Sequence, residues 1–553
     1  MTVQHMKWWG WGVEGVAFSH EDKPSLAPFV QKIIDVDLNA APRPPMDFAD
    51  LDVPQSRLTA QLRAALTEAV GGDQVIDAAL DRVVHAYGKS LRDLLRIRSG
   101  DLRRIPDVVV YPADEAEVSA VLDAVVAADA VLIPFGGGSN ISGSLEAPAD
   151  EHRQVVSLDL GRLNQVLAID EDSGLARIQA GALGPDLEQQ LGERGWTLGH
   201  FPDSFTYSSL GGWIATRSSG MQSDKYGDIA DITRAVRVVQ PGRILATRAV
   251  PVTSTGPSVR EMILGSEGRL GVITEATVQV HRIPGKRVVL GYFFPDWERG
   301  VAAMRAIAAS DATPSITRIS DARESAFSFA TRKTSKGVAK LMSSALITVL
   351  KLRGWDLERL CLSFIGYEGS AEHVARQRKL VKKIAAEHGG FCVGSGPGEL
   401  YDQKKFDTPY IRDFILDRGA LADVSETSAA WSQLLPLYDQ TIERANKAFE
   451  QLGVKGWIMC HLSHSYHSGA CLYFTFAFKQ AEGDPIAQYD VVKTAVQQSF
   501  IDAGGTLSHH HAVGTEHARW LADDISQPGV QLLSVLFVGA DPGRNLNPGK
   551  IIS

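Results

Sequence analysis

Apolar residues recur along this chain with two different periods, and the period changes by region. Leu58, Leu62, Leu66 and Val70 fall every fourth residue, which is one face of a helix. Beyond Asp107, Val108-Val109-Val110-Tyr111 is a short β-rich run. Val118, Val121, Leu122, Val125 and Val126 then step at helical spacing, and Val131-Leu132-Ile133-Pro134 leads into Gly136-Gly137-Gly138. Strand, helix, strand and glycine loop open an α/β nucleotide-binding unit. From Val155 to about His281 short strands alternate with glycine turns, as in the segment from Gly271 to Val280. After Pro284, helices near 297–309, 371–388 and 431–452 and a strand from Cys471 to Phe478 predict a second α+β domain. The stretch 500–553 reads as helical.

The chain has 553 residues, more than one hydrophobic core accommodates. Its 44% hydrophobic and 22% charged residues are those of a globular protein and exclude large-scale disorder. A net charge of -9 argues against nucleic acid as a partner, so an anionic substrate has to be met by local cations. The four cysteines form no C-x-x-C pair, which disfavours a disulfide framework or a thiolate zinc site. No basic-then-apolar leader, membrane-spanning run or peroxisomal S-K-L ending is visible, and the expectation is a cytoplasmic protein.

Two nucleotide motifs fail on context. Gly10-Trp11-Gly12-Val13-Glu14-Gly15 fits G-x-G-x-x-G but lacks the flanking strand and helix, and Gly88-Lys89-Ser90 lacks the first glycine of a P-loop. Pro134-Phe135-Gly136-Gly137-Gly138-Ser139-Asn140 does follow a strand, and its glycines let successive amides converge on an anion such as a pyrophosphate; a tight turn at a sheet corner is the plainer reading. The loops Pro202–Gly212, Thr216–Gly220 and Gly265–Thr274 add hydrogen-bonding backbone at intervals suited to a large extended ligand. His509-His510-His511 places three imidazoles side by side, suited to proton transfer or anion binding, or else to an exposed turn. His461, His464 and His467 do not share a face with them and no acidic residue has metal-motif spacing, so no metal is expected.

Together, PFGGGSN, PDSFTYSSLGG and GSEGRLGVITEA resemble the FAD-binding domain of the vanillyl-alcohol-oxidase superfamily. The resemblance implies an α+β fold: a PCMH-type FAD-binding domain of two subdomains (102–284), an α+β cap with an antiparallel sheet (285–499), a helical N-terminal region (1–101) and a C-terminal helical segment (500–553) carrying the histidine triplet. It assigns to the cofactor Pro134, Phe135, Gly136, Gly137, Gly138, Ser139, Asn140, His200, Asp203, Ser204, Phe205, Thr206, Tyr207, Ser208 and Ser209. Thr216, Arg217, Ser218, Ser219, Glu267, Gly268, Arg269, Leu270, Gly271, Val272 and Ile273 complete that set. No position matches the covalently linked histidine of some members, so FAD is expected to be non-covalent.

Over nearly its whole length the chain is similar to the alkyldihydroxyacetonephosphate synthase family, through Lys7-Trp8-Trp9-Gly10-Trp11-Gly12, Gly199–Ser204, Ser315–Arg318, Tyr410–Asp413, Glu426–Ser428, SGACLYFTFAF and LSHHHAVG. The resemblance implies exchange of the acyl group of acyl-dihydroxyacetone phosphate for a long-chain fatty alcohol, through a flavin N5 adduct and without net redox change. It makes Tyr473 the proton-transfer group, aided by His509, His510 and His511, Arg412 the phosphate ligand and Arg318 a flavin-site arginine. A tyrosine with an ordinary pKa near ~10 needs imidazole or cationic neighbours to act as a base. The resemblance also implies a homodimer, contact with a membrane surface, and an apolar tunnel drawn from Phe327, Phe329, Leu341, Met342 and Leu346. Ala512 and Asn140 stand where smaller residues are usual, and the insert from Arg332 to Gly354 is read as reshaping a lid. Oxidation of a 2-hydroxy acid or related alcohol on the same FAD loops is the alternative.

Overall fold

A computed structural model describes residues 3–332, 350–396 and 408–552, together with 348, 398 and 406. The α+β architecture rests on three main sheets. The first has four strands in the order Val75–Ile76, Val108–Val110, Val155–Asp159, Val131–Phe135; the last three run parallel. Their fully buried valines and leucines pack against helices Ala60–Val70 and Glu115–Ala127, as a sheet covered on its faces requires. Val118, Val121, Leu122 and Val125 form the buried face of the second helix. Val126, which the same periodicity includes, is 38% exposed, because position i+8 has drifted off the contact line. Leu58 precedes its helix and packs from the side.

The second sheet is antiparallel, in the order Val166–Asp170, Leu175–Gln179, Val272–Gln279, Thr233–Gln240, Arg243–Ala246. The sequence reading of this region as strands and turns missed five short helices, two of which carry loops of the site. These two are Gly184–Gly192, with Pro185 in its first turn, and Leu210–Thr216, capped by the Ser209 hydroxyl accepting from the Gly212 amide at 3.3 Å.

The third sheet has seven antiparallel strands: Phe391–Gly394, Lys286–Phe294, Cys361–Gly369, Ile316–Ser320, Gly456–Ser465, Gly469–Lys479 and Ala420–Ala430. Along Gly469–Lys479, Leu472, Phe474, Phe476 and Phe478 are fully buried against helices Trp431–Gln451 and Pro485–Asp502, while Tyr473, Thr475 and Ala477 turn to the other face. This alternation presents Tyr473 to the interior cavity. The segment read as uniformly helical from 500 is interrupted: helix Pro485–Asp502 ends there, Ser508–Gly514 is a loop, and helix Gln527–Ala540 follows. Leu341, Met342, Leu346 and most of the expected lid insert lie outside the described residues.

Candidate active site

One cavity of about 1030 Å³ runs between the first two sheets and the seven-stranded sheet. Pro134 through Asn140, Asp203, Ser204, Ser208, Ser209, Thr216, Ser218, Ser219, Glu267, Gly268, Gly271 and Ile273 all line it, as do Arg318, Arg412, Tyr473, His510 and His511. The remaining expected cofactor residues stand behind this wall. Phe205 stacks on Phe406 at 5.2 Å, Tyr207 reaches Tyr410 at 3.4 Å, and Thr206 is half-buried between them in sequence. Arg217 pairs with Glu261, Arg269 covers the Phe537 ring and donates to the Lys550 carbonyl, and Leu270 and Val272 are core residues. His200 is buried against Trp213 and meets Ser218 Oγ at 3.2 Å, and burial pulls its pKa down to about 3. It is a neutral prop for Ser218.

The glycine loop is built by close approach. A Cβ on Gly137 would run into the Tyr207 carbonyl, and one on Gly136 into Ser209 Oγ, so the two loops meet with no room for side chains. Gly138 adopts φ 71°, in the left-handed region. Among the described residues, none accepts a hydrogen bond from the amides of Gly136, Gly137 or Gly138. Convergent free amides beside a cavity are the donor set a pyrophosphate takes. At the far end of the chain Asn547 donates to the Ser144 and Glu267 carbonyls at 3.0 and 2.7 Å, and its own Oδ1 is buried without a partner in the cavity wall. The residues present therefore fit a dinucleotide carrying both phosphates and polar ring edges. Nothing in local sequence flagged Asn547, because its partners lie 280 and 403 positions away.

Arg412, on helix Thr408–Leu416, is held from behind. Its Nη1 donates to the Lys89 carbonyl at 2.6 Å. Lys89 in turn donates to the Lys7 and Trp8 carbonyls, and the Trp11 amide donates to Asp413 at 2.6 Å. The tryptophan-rich start and the failed P-loop motif are thus structural, fixing one arginine. Nε and Nη2 of Arg412 are buried with no hydrogen-bond partner. Asp413 Oδ1 lies 3.7 Å from Nη2, so part of the charge is balanced, but the two hydrogen-bond donors remain open to an anion at the cavity.

Around Tyr473 the geometry is dense. Its ring stacks on His461 at 4.8 Å and lies 5.9 Å from His510 and 5.5 Å from His511. His461 belongs to a buried group not anticipated from sequence. Glu324 takes Arg318 Nη2 at 2.7 Å on one oxygen and His461 Nδ1 at 3.1 Å on the other. Burial opposes its ionisation, but His461 and Arg318 outweigh that and hold Glu324 down at about 2.

The histidine loop is clamped from two sides. Glu426 accepts from Ser508 Oγ at 2.8 Å and from the amides of His509, His510 and His511 at 2.6, 3.0 and 3.0 Å. Glu267 accepts from the amides of Val513 and Gly514 at 2.9 and 3.0 Å and from Ser144 Oγ at 2.5 Å, so its carboxylate ties this loop to the strand-following loop of Ser144. Ala512 between them sits at φ 74°, which explains why glycine suits that position. Sequence spacing did not flag Glu426 as a partner of the triplet, because it arrives from a strand 83 residues upstream of His509. Burial favours the neutral acid, but the three imidazoles and the His510 amide hold Glu426 well below the usual carboxylate range.

The same burial sets the protonation of the other partners. It pulls His510 far below the ordinary imidazole value and lowers His511 too, with Glu426 opposing only in part. It pushes Tyr473 well above the ordinary phenol value, and Asp203, Glu426 and Asp423 push in the same direction. The shifts favour a protonated phenol beside neutral imidazoles.

The cavity continues into an apolar branch between helix Leu26–Ile34 and helix Ala322–Ala330, lined by Leu26, Val30, Ile33, Phe327, Phe414 and Trp457. Phe327 is where the sequence placed a tunnel wall; Phe329 instead packs on Phe293 at 6.0 Å, one position off the lining face. The opposite wall, the N-terminal helix, was not foreseen as part of the site.

A sheet-borne glycine cradle, a second domain closing over it and one shared cavity define a flavoprotein of the FAD-linked oxidase class. The FAD binding domain model matches residues 106–247, and the model for the C-terminal domain of FAD linked oxidases matches 283–551. The chain is 38% identical to the alkyldihydroxyacetonephosphate synthase of Dictyostelium discoideum, over 99% of this chain and 94% of that one. With that of Trypanosoma brucei brucei the identity is 32%, over 100% and 93%. A solved alkyldihydroxyacetonephosphate synthase structure superposes with a TM-score of 0.86 at 35% identity, covering 98% of each chain. The chain belongs to the alkyldihydroxyacetonephosphate synthase family.

Proposed function

We propose that this protein exchanges the acyl group of acyl-dihydroxyacetone phosphate for a long-chain fatty alcohol, forming the ether bond of an ether lipid with FAD held non-covalently. The observation that carries the reading is the composition of one cavity: amide cradle, Arg412 donors open to hydrogen bonds, Tyr473 with neutral imidazoles, and an apolar branch. Those are the parts a phosphorylated lipid substrate and a long-chain alcohol need. The loops Pro134–Asn140 and Ser204–Ser209 would hold the cofactor, with Asn547 at a polar edge. Bound flavin supplies an electron sink that lets one carbon–oxygen bond be exchanged for another without net oxidation. Arg412 grips the phosphate by paired hydrogen bonds. Tyr473 keeps its proton and donates a hydrogen bond to the departing carboxylate, and His510 or His511 accepts the alcohol proton. Arg318, fixed by Glu324, places positive charge beside both. The apolar branch holds one alkyl chain and excludes water from the exchange.

Among the described residues no helix is long and apolar enough to cross a membrane. Contact with a lipid surface instead falls to helix Gln527–Ala540, and a homodimer is carried forward as part of the same proposal, to be checked by light scattering. The decisive experiment supplies acyl-dihydroxyacetone phosphate and labelled hexadecanol to the flavin-loaded protein without an electron acceptor. Label in an ether product is expected. No label, together with flavin bleaching by a 2-hydroxy acid, overturns the reading in favour of an oxidoreductase. Acid precipitation is expected to release the yellow flavin into the supernatant; flavin retained in the pellet overturns the non-covalent assignment.

A further inference from the structure

The proposed exchange leaves one proton over. The bond from the substrate carbon to the carboxylate oxygen breaks, a bond from that carbon to the alcohol oxygen forms, the acyl group departs as a carboxylate, and the alcohol O–H proton has no place in either product. It is released in a cavity whose two arms are filled by the cofactor and an alkyl chain. The loop Ser508–Gly514 carries a route out.

His510 lines the cavity, and its Nδ1 lies 2.9 Å from His509 Nδ1. His509 Nε2 lies 2.6 Å from the Tyr466 hydroxyl, which donates to Asp228 Oδ2 at 2.8 Å. The donor sequence is fixed from its end. A carboxylate can only accept, so the Tyr466 hydrogen is committed to Asp228 and its oxygen accepts from His509 Nε2–H. A neutral His509 then accepts at Nδ1 from His510 Nδ1–H, which leaves His510 Nε2 as the bare lone pair. Tyr466 also borders a second hollow of about 580 Å³, where Asp523 and Asp524 are exposed.

We propose that His510, His509, Tyr466 and Asp228 form a proton exit that carries the alcohol proton out of the reaction cavity to Asp228. His510 Nε2 takes the proton, each bond in the series hands on its own hydrogen, and the half-buried Asp228 receives one. His510 is the catalytic residue of this set; His509, Tyr466 and Asp228 act through it. The inference rests on the ether-forming reading above.

The test uses the flavin-loaded full chain and two conservative variants, Tyr466→Phe and Asp228→Asn. Each is expected to slow turnover by about tenfold or more, with flavin content and KM for both substrates unchanged, and to raise the solvent deuterium isotope effect as proton exit becomes limiting. Imidazole in the buffer is expected to restore part of the rate. A merely structural role would shift flavin content or KM and leave the isotope effect alone. Wild-type rate and isotope effect in both variants, with ether product still formed, overturn the relay and leave the function standing. Nitrogen NMR of labelled histidine needs no turnover: protons on His509 Nε2 and His510 Nδ1 in the parent are expected, the first lost or moved in Tyr466→Phe. The opposite tautomers overturn the relay whatever the reaction proves to be.

Discussion

Glu426 accepts four hydrogen bonds from the loop Ser508–His511, three of them from consecutive amides. Removing it strands those donors in a buried place. Glu426→Ala is therefore expected to lower stability by about 3 kcal/mol and to release the loop, a loss measurable by denaturant titration. The acid side follows from the depressed carboxyl. Stability from Glu426 is fully present above the unfolded-state value of about 4.3 and is lost as pH falls below it toward the depressed folded value. Parent and Glu426→Gln thermal midpoints should thus converge as the pH is taken down from 5, and a gap independent of pH would refute the linkage. Arg412 gives a sharper residue test. Arg412→Ala is expected to raise KM for the phosphorylated substrate by about two orders of magnitude with flavin content unchanged. Arg412→Lys should recover little, because an ammonium cannot present the paired Nε and Nη2 donors. An unchanged KM in Arg412→Ala would remove the phosphate assignment.

At the scale of elements, the strands and helices that build the scaffold were legible because their periodicities are local. The Gly469–Lys479 strand alternates visibly, and Tyr473 falls on the open face by parity alone. The glycine loop was legible for the same reason: strand and turn are adjacent in sequence. What was not legible is whatever depends on a partner far along the chain. Glu426 and Glu324 look like any strand or helix acid until the fold brings the imidazoles to them, and Asn547 reads as part of a terminal turn. The sign of the Tyr473 shift was also hidden, because burial and three carboxylates outweigh Arg318. The N-terminal helix is the clearest case. Leu26, Val30 and Ile34 form an ordinary apolar face, and nothing local says that it walls a cavity as well as a core. Ile33→Trp should fill that branch, shifting preference from long to short alcohols by about tenfold in kcat/KM with flavin retained. Unchanged chain-length preference would place the alkyl chain elsewhere.

At the scale of the whole molecule, one surface is out of keeping with the rest. Helix Gln527–Ala540 carries no charged side chain, and Leu532, Val535 and Val538 stand 71%, 71% and 57% exposed on its outer face. The helix is anchored from beneath by Phe537 and Ala540, so this face is held out rather than left loose. The proposed substrates both carry long chains that reside in bilayers, and an enzyme collecting them gains by resting there. Burying three such side chains contributes on the order of 5 kcal/mol, enough for reversible attachment and far short of anchoring. The net charge of -9 adds no attraction for anionic lipid, so binding should be as strong on neutral phosphatidylcholine vesicles as on vesicles containing phosphatidylserine, and insensitive to salt. The double variant Leu532→Glu/Val535→Glu places two charges on the face and should abolish co-sedimentation with vesicles, while turnover of detergent-dispersed substrates is retained. Should it leave vesicle binding intact but convert a dimer to monomers in light scattering, the face is a subunit interface and lipid is met elsewhere on the molecule.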